Sequence, residues 1–180
     1  FNLSAKFDIK PEAVKINTIH LEEENKRMSM QAHAFMQRKK GVINRVNGSI
    51  DKLHLESELA ADLLSAFSRQ KEADIAKRLG SVDLKANGFF ESDGVKWVNA
   101  DATSPLGNLY ASLHWRGEAY MAQISSSQLQ VADILGQSNL PKNVTFHADV
   151  HAKTQKKQFT SLSATALVDH AEYQGYAYQG

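Results

Sequence analysis

Apolar and polar residues alternate along most of the chain, starting with its first ten residues. Successive side chains of a β-strand point to opposite faces, so this alternation predicts strands with one apolar and one polar face. The first predicted strand has these apolar residues at odd positions: Phe1, Leu3, Ala5, Phe7 and Ile9. The second changes parity after Ile16, which predicts a bulge near Asn17 or Thr18. A charged turn over 22–27 and a returning strand over 28–36 complete a predicted hairpin.

The period changes to that of a helix between residues 56 and 80. Apolar residues recur every four positions at first and more loosely afterwards: Leu55, Leu59, Leu63, Phe67, Ile75 and Leu79. One stripe at this spacing predicts a single amphipathic helix over 56–79, about 24 residues and roughly 36 Å long. Ser57 is its predicted N-cap, and Gly80 stands where a glycine commonly ends a helix.

Alternation returns at residue 81 and continues to the end of the chain. The predicted strands in this region include 82–90, 109–115, 120–124, 144–152 and 162–166. A short apolar helical turn is predicted over 129–136. Strands in succession with short connections favour an antiparallel meander over alternating strand and helix units. We therefore predict a mainly β fold, an elongated and curved antiparallel meander, open or folded over, with a hydrophobic inner face.

The pattern divides the chain into three regions. Residues 1–55 form N-terminal antiparallel strands, 56–80 the amphipathic helix, and 81–180 the β-meander with its helical turn. Because the chain begins in the middle of a strand pattern and without Met, we interpret it as one continuous fragment of a longer protein.

The amphipathic strands raise the question of what covers their apolar face. A helix of roughly 36 Å covers one end of a long sheet and leaves the rest. The remaining face could pack on the sheet's own curl, as in a β-sandwich, or on neighbouring segments of a longer chain. It could also bind a ligand with apolar tails. The strand pattern alone favours an ordinary packed core over a lipid-binding groove.

Composition and charge narrow the classes of partner. The 180 residues include 21 Lys and Arg against 20 Asp and Glu, a net charge of +1, and 42% hydrophobic residues. This balance argues against nucleic-acid binding, which needs a concentrated surplus of cations. The absence of cysteine excludes disulfides, thiolate nucleophiles and Cys-ligated zinc. No apolar run reaches the roughly 18 residues of a membrane-spanning helix, and no signal-peptide pattern is found.

Residues that commonly perform chemistry are scattered. His147, Asp149 and His151 share one face of a predicted strand, but positions two apart are separated by about 6.6 Å, too far for adjacent ligands of one zinc ion. Trp97 and Trp115 could stack on a sugar or base, although core positions are the commoner interpretation on alternating strands. The lysine-rich stretch 153–157 predicts a solvated hairpin turn. No catalytic motif is recognised, so we expect a protein that is not an enzyme, with no cofactor and no metal.

Four runs in their order and spacing resemble the translocation and assembly module (TamB) family, within the wider AsmA-like group of bacterial envelope proteins. The runs are Thr103-Ser-Pro-Leu-Gly-Asn-Leu109, Tyr120-Met-Ala-Gln-Ile124, Leu129-Gln-Val-Ala-Asp-Ile-Leu-Gly136 and Tyr173-Gln-Gly-Tyr-Ala-Tyr178. The helix followed by the strand at 82–90 fits the same order of elements. The chain lacks the family's N-terminal membrane anchor and C-terminal conserved domain, as expected of an internal fragment.

The resemblance implies a long curled sheet with a hydrophobic interior that bridges the inner and outer membranes and moves phospholipid. It implies a periplasmic location, an inner-membrane anchor in the parent protein, and phospholipid acyl chains as the ligand, with each buried methylene contributing about 0.8 kcal/mol. Proteins that assemble outer-membrane β-barrels are the expected protein partners. An alternative is an interaction scaffold, or chaperone-like module, for the assembly and secretion of those barrels. The expected lipid-facing residues are Leu84, Ala86, Phe90, Leu113, Trp115, Ile124, Phe146 and Val150.

Overall fold

The strands of the chain form one antiparallel sheet. The computed structural model describes residues 1–155 and 158–180. Its 11 strands are hydrogen-bonded in chain order, so that β1 and β11 lie at the two edges of an unclosed sheet. The strands are β1 (Asn2–Lys10), β2 (Ala13–Glu22), β3 (Met28–Lys39), β4 (Val42–Leu55), β5 (Val82–Glu91), β6 (Lys96–Ser104), β7 (Gly107–Arg116), β8 (Ala119–Leu129), β9 (Lys142–Gln155), β10 (Gln158–Tyr173) and β11 (Tyr176–Gln179). The predicted mainly β, antiparallel meander is confirmed.

The N-terminal strands follow the sequence pattern closely. β2 and β3 form the expected hairpin. Between β1 and β2, Lys6 pairs with Thr18 and Phe7 with Ile16, so Asn17 is the extra residue of a bulge. The bulge returns the apolar residues on both sides of it to one face of the sheet, because it compensates for their change of parity. The prediction made from that change of parity is therefore confirmed.

The segment predicted as one helix contains two, which corrects the sequence-based expectation. α1 (Ser57–Ala66) and α2 (Gln70–Leu79) are separated by Ser68, whose φ of 58° is left-handed. At 3.6 residues per turn, a straight helix would place Ile75 about 160° around the axis from Leu59. The break at Ser68 changes the direction of the chain, so that the apolar stripe of α2 need not continue on the far side of the α1 axis. Glu56, and not Ser57, occupies the N-cap of α1, and its side chain makes no capping hydrogen bond.

All the helices lie at one end of the sheet. β4 runs into α1, and β8 runs through Gln130 into α3 (Val131–Leu135), which ends at Gly136 in the left-handed conformation with φ 65°. Arg78 of α2 donates a hydrogen bond from Nη1 to the carbonyl oxygen of Ile134, at 3.3 Å. We call this the helix end, and the opposite end, where β3 turns into β4 and β5 into β6, the turn end. No helix in the described residues is long and apolar enough to span a membrane.

The tightly packed part of the protein is small and lies mainly among the helices. Seven apolar residues in the described part of the chain are buried, and four of these belong to α1, α2 and α3: Leu59, Ala61, Ala73 and Ala132. Among the described residues, no large side chain is less than 2% exposed. A domain of this size normally buries a substantial apolar core. The helices therefore leave most of one sheet face uncovered.

Candidate functional site

Cross-strand pairing collects the inward side chains of β1 to β10 into four parallel rows. We name each row by its β5 residue, from the Leu84 row at the helix end, through the Ala86 and Gly88 rows, to the Phe90 row at the turn end. Together the four rows are the apolar face. The Ala86 row illustrates them and contains Ala5, Ile19, Ala32, Ile50, Ala86, Ala100, Ala111, Ile124, Ala148 and Ala166. Such continuity arises because neighbouring residues in a sheet share a face across every strand pair.

All the residues expected to face lipid lie on the apolar face. They are distributed over its four rows: Leu84 and Phe146, then Ala86 and Ile124, then Leu113 and Val150, then Phe90 and Trp115. They are brought together by register alone, since β5 and β9 lie four strands apart in the sheet order. Sequence reasoning did not place the residues of β1 to β4 among them, although the same alternation is present there.

The apolar face is open to solvent along much of its length. Phe7 near one edge is 60% exposed, Leu162 near the other 69%, and Leu113 between them 38%. An apolar cavity of about 670 Å³ lies over β7 to β10 and is lined by Leu113, Tyr120, Ala122, Val150 and Leu162, among others. A smaller one, of about 290 Å³, lies at the helix end between Leu79, Val82, Leu109, Leu129 and Ile134.

Two polar side chains interrupt the four rows, and both were missed by sequence reasoning. Ser126 of the Leu84 row is 6% exposed and donates a hydrogen bond to the carbonyl oxygen of Val144, at 3.1 Å. Lys96 pairs with Trp115 in the Phe90 row. Its parity in β6 equals that of Val98, so the alternation itself could have placed it on the apolar face.

Lys96 lies over the ring of Phe90. Its ammonium nitrogen is 5.1 Å from the centroid of the Phe90 ring, a cation–π distance. The same nitrogen is 3.5 Å from the carbonyl oxygen of Ser92. Trp115 is its partner across the β6–β7 pair, and Tyr120 is the partner of Trp115 in β8.

The opposite face is polar and carries histidine–carboxylate pairs. His54 Nδ1 lies 2.9 Å from Asp83 Oδ1 and His54 Nε2 3.4 Å from Glu56 Oε1. The hydrogen bond to Asp83, followed by that to Glu56, raises the pKa of the His54 imidazole against the opposing effect of burial. Hydrogen bonds from Ser49 and then His33 lower the pKa of the Asp51 carboxyl group.

An ion pair also fixes the turn between β2 and β3 at the helix end. Glu23, which is 7% exposed, accepts a hydrogen bond from Arg27 Nη2 to its Oε1 at 2.9 Å. The bond from Arg27 is the main reason that the pKa of Glu23 is lowered. The backbone N–H groups of Asn25 and Arg27 donate to the same carboxylate. The carboxylate therefore organises the turn and is fully occupied by it.

The histidines of β9 do not form a metal site within the described residues. His147 Nδ1 is 3.0 Å from Asp169 Oδ2, and Asp149 accepts a hydrogen bond from Gln123 at 2.9 Å. No group of three or more His, Cys, Asp or Glu side chains in the part of the chain that is described could hold a metal ion. The predicted lysine-rich turn is described as far as Gln155, and Lys156 and Lys157 lie outside the described residues.

The two tryptophans lie on opposite faces of the sheet. Trp97 is on the polar face, where its ring stacks on Phe89 at 6.3 Å and on His114 at 6.5 Å between centroids. Neither tryptophan is buried, which corrects the interpretation that both belong to a core. A shallow cavity of about 410 Å³ adjoins this stack and is lined by His114, Met121, His151 and others.

No protein-family model, no curated protein and no solved structure matches the chain at a significant level.

Proposed function

We propose that this chain is part of a non-enzymatic envelope protein of the TamB and AsmA-like kind, and that its apolar face is a trough for phospholipid acyl chains. In this proposal the protein carries phospholipid between the inner and outer membranes and so supports outer-membrane biogenesis. It acts in the periplasm as part of a chain anchored in the inner membrane. The single observation that carries the proposal is the uncovered apolar face formed by ten consecutive strands.

The size of the apolar face supports this proposal. Ten strands at a spacing of about 4.8 Å give a surface roughly 45 Å wide around its curve. Four rows two residues apart extend roughly 20 Å along the strands. Contiguous apolar patches on soluble monomers rarely exceed a few hundred Å², and larger ones mark interaction sites. Acyl chains bound here would gain about 0.8 kcal/mol for each methylene removed from water.

A photoreactive residue at Leu113 tests the proposal directly. Leu113 lies on the apolar face beside the larger cavity, whereas Gln123 lies on the polar face of the adjacent strand. We expect a probe at Leu113 to crosslink phospholipid in a bacterial periplasm, and a probe at Gln123 to give at least tenfold less product. Organic extraction of the purified chain followed by mass spectrometry should recover phospholipid in the same samples.

Two results would count against a lipid trough on the apolar face. A chain that carries no lipid above the background of a control periplasmic protein would contradict the proposal. Equal crosslinking from Leu113 and Gln123 would show that lipid contacts the protein without regard to face. Circular dichroism of both probe variants would verify that the sheet is intact.

A second candidate function rests on the β1 edge. Every residue of β1 is exposed, and its outer edge presents unpaired backbone groups. Such an edge can accept a strand from another protein by β-augmentation. As an assembly scaffold, the chain would crosslink to outer-membrane β-barrel proteins from outward positions of β1, such as Ser4. Charged substitutions on the apolar face would then leave assembly intact, whereas they would abolish lipid transport.

A further inference from the structure

The apolar face contains one charged residue, and its position is informative. Of the side chains that form the four rows, all of them described, Lys96 alone carries a charge. It occupies the Phe90 row, the row nearest the turn end, where the sheet gives way to the connection between β5 and β6. A cation on an apolar surface is unfavourable unless its charge is compensated. In the free protein Phe90 and the carbonyl group of Ser92 provide part of that compensation.

The neighbours of Lys96 resemble the environment at a membrane–water interface. Lys96 pairs with Trp115 and Trp115 with Tyr120, and Phe90 lies one position beyond Phe89, whose partner Trp97 is next to Lys96. Trp and Tyr are enriched where lipid headgroups meet acyl chains, because one part of each ring system is apolar and another can donate a hydrogen bond. The remaining rows contain no further Trp or Tyr, so the row has this character at one end of the trough only.

The two ends of the sheet also differ in net charge, and the turn end, where Lys96 lies, is the more basic one. At the turn end, residues 8–15, 38–45, 91–96 and 116–119 together include eight basic and five acidic residues, and Arg45 lies 2.9 Å from Glu91. At the helix end, residues 22–27 include three acidic and two basic residues, and residues 56–83 six acidic and four basic ones. An anion is therefore attracted to the turn end and repelled from the helix end.

We propose that Lys96 binds the phosphate of a glycerophospholipid, so that the turn end receives the headgroup and the acyl chains extend toward the helices. This inference rests on the proposed function, because it assigns an orientation and a headgroup charge to the lipid in the trough. The roughly 20 Å from the Phe90 row to the Leu84 row exceeds the roughly 15 Å depth of one leaflet's hydrocarbon layer. The trough is long enough for an acyl chain to extend from Lys96 without leaving the apolar face.

A lipid-loading experiment with two matched lipids tests the inference. The purified chain is incubated with vesicles of palmitoyl-oleoyl phosphatidylglycerol or with palmitoyl-oleoyl glycerol, which has the same acyl chains and no phosphate. Bound lipid is quantified by native mass spectrometry. Loss of a charge-assisted contact typically costs about tenfold in affinity. We expect Lys96→Gln to reduce binding of phosphatidylglycerol about tenfold and to leave binding of the neutral lipid unchanged.

Two controls separate the role of Lys96 from general effects of charge. Lys85→Gln removes the same charge from the polar face of the neighbouring strand, where Lys85 pairs with Asp101, and should change neither lipid. Inorganic phosphate, observed by phosphorus NMR, distinguishes a lipid headgroup from a free anion. We expect phosphate alone to bind at least a hundredfold more weakly than phosphatidylglycerol, since it lacks the acyl chains.

The possible outcomes distinguish this inference from the function on which it rests. If both lipids bind and Lys96→Gln leaves the phosphatidylglycerol affinity unchanged, the trough stands and the headgroup assignment is wrong. If Lys85→Gln lowers the affinity as much as Lys96→Gln, the effect is one of net charge and the assignment is again wrong. If inorganic phosphate binds as tightly as the phospholipid, Lys96 belongs to a plain anion site. If neither lipid binds, the proposed function fails and this inference fails with it.

Discussion

His54 shows how single residues on the polar face connect separate strands. It is the last residue but one of β4 and contacts Asp83 of β5, 29 residues later in the chain. Folding raises its pKa above the unfolded value of about 6.5, so the folded state binds the proton more tightly than the unfolded state. Its contribution is fully present below the unfolded pKa and is lost as the pH rises through the folded pKa.

We therefore expect Asp83→Asn to destabilise the protein more at pH 5 than at pH 9. A largely exposed pair of this kind contributes less than about 1 kcal/mol, so the difference is small but measurable by urea unfolding at both values. His54→Gln should remove the same pH dependence, and the double variant should show no more loss than either single variant. Additive losses in the double variant would mean that the two groups act independently.

Ser68 determines the path of the chain at the level of the helices. Its φ of 58° is unfavourable for a residue with a Cβ atom, at a cost of about 1 kcal/mol or more. Ser68→Gly should therefore raise the free energy of unfolding by up to about 1 kcal/mol, whereas β-branched Ser68→Val should lower it. Lys71→Gly in the first turn of α2 is the matched control and should lower it, because glycine has a low helix propensity. Stabilisation of similar size by both glycines would argue against strain at Ser68.

The sequence predicts the faces of the strands, but it does not predict the break between the helices. Strand alternation fixes which face each side chain occupies, because the period of two is the same in the isolated strand and in the sheet. Hence the face shared by Leu84 and Phe146 could be predicted without knowing which strands pair. The break at Ser68 could not, since the four-residue repeat continues up to Phe67 and gives no signal before it. The pairing of His54 with Asp83 depends on register, which the alternation does not specify.

The position of Lys96 on the apolar face is missed by the sequence pattern for a different reason. Its parity was readable from the sequence, but a lysine next to the Asp93-Gly94 turn is equally compatible with a solvated position. Only the pairing with Trp115 and the distance to the Phe90 ring distinguish the two. The alternation of apolar and polar residues therefore gives no decisive signal for Lys96, the one charged residue of the Phe90 row.

At the scale of the whole molecule, the two edges of the sheet are its least protected feature. β1 has nine residues without proline, and no charged side chain of this strand points to the apolar face. Natural sheets often protect such an edge with an inward charge or a short strand, and β1 has neither. At the other edge, β11 has four residues that pair only with His170–Tyr173, so the earlier residues of β10 form the rest of that edge. The isolated chain should therefore self-associate in water through β1 more readily than through β11.

Phe7 and Ser4 provide a matched test of this expectation. Both lie in β1 and both are exposed, but Phe7 is on the apolar face and Ser4 on the polar face. An inward lysine at position 7 must be desolvated when a strand or a second face covers it, whereas an outward lysine at position 4 keeps its water. We expect sedimentation velocity to show concentration-dependent oligomers for the natural chain and for Ser4→Lys. For Phe7→Lys, the concentration at which oligomers form should rise at least tenfold. Equal reduction of association by both lysine variants would mean that net charge governs association. If neither variant changed association, the contact between chains would not involve β1.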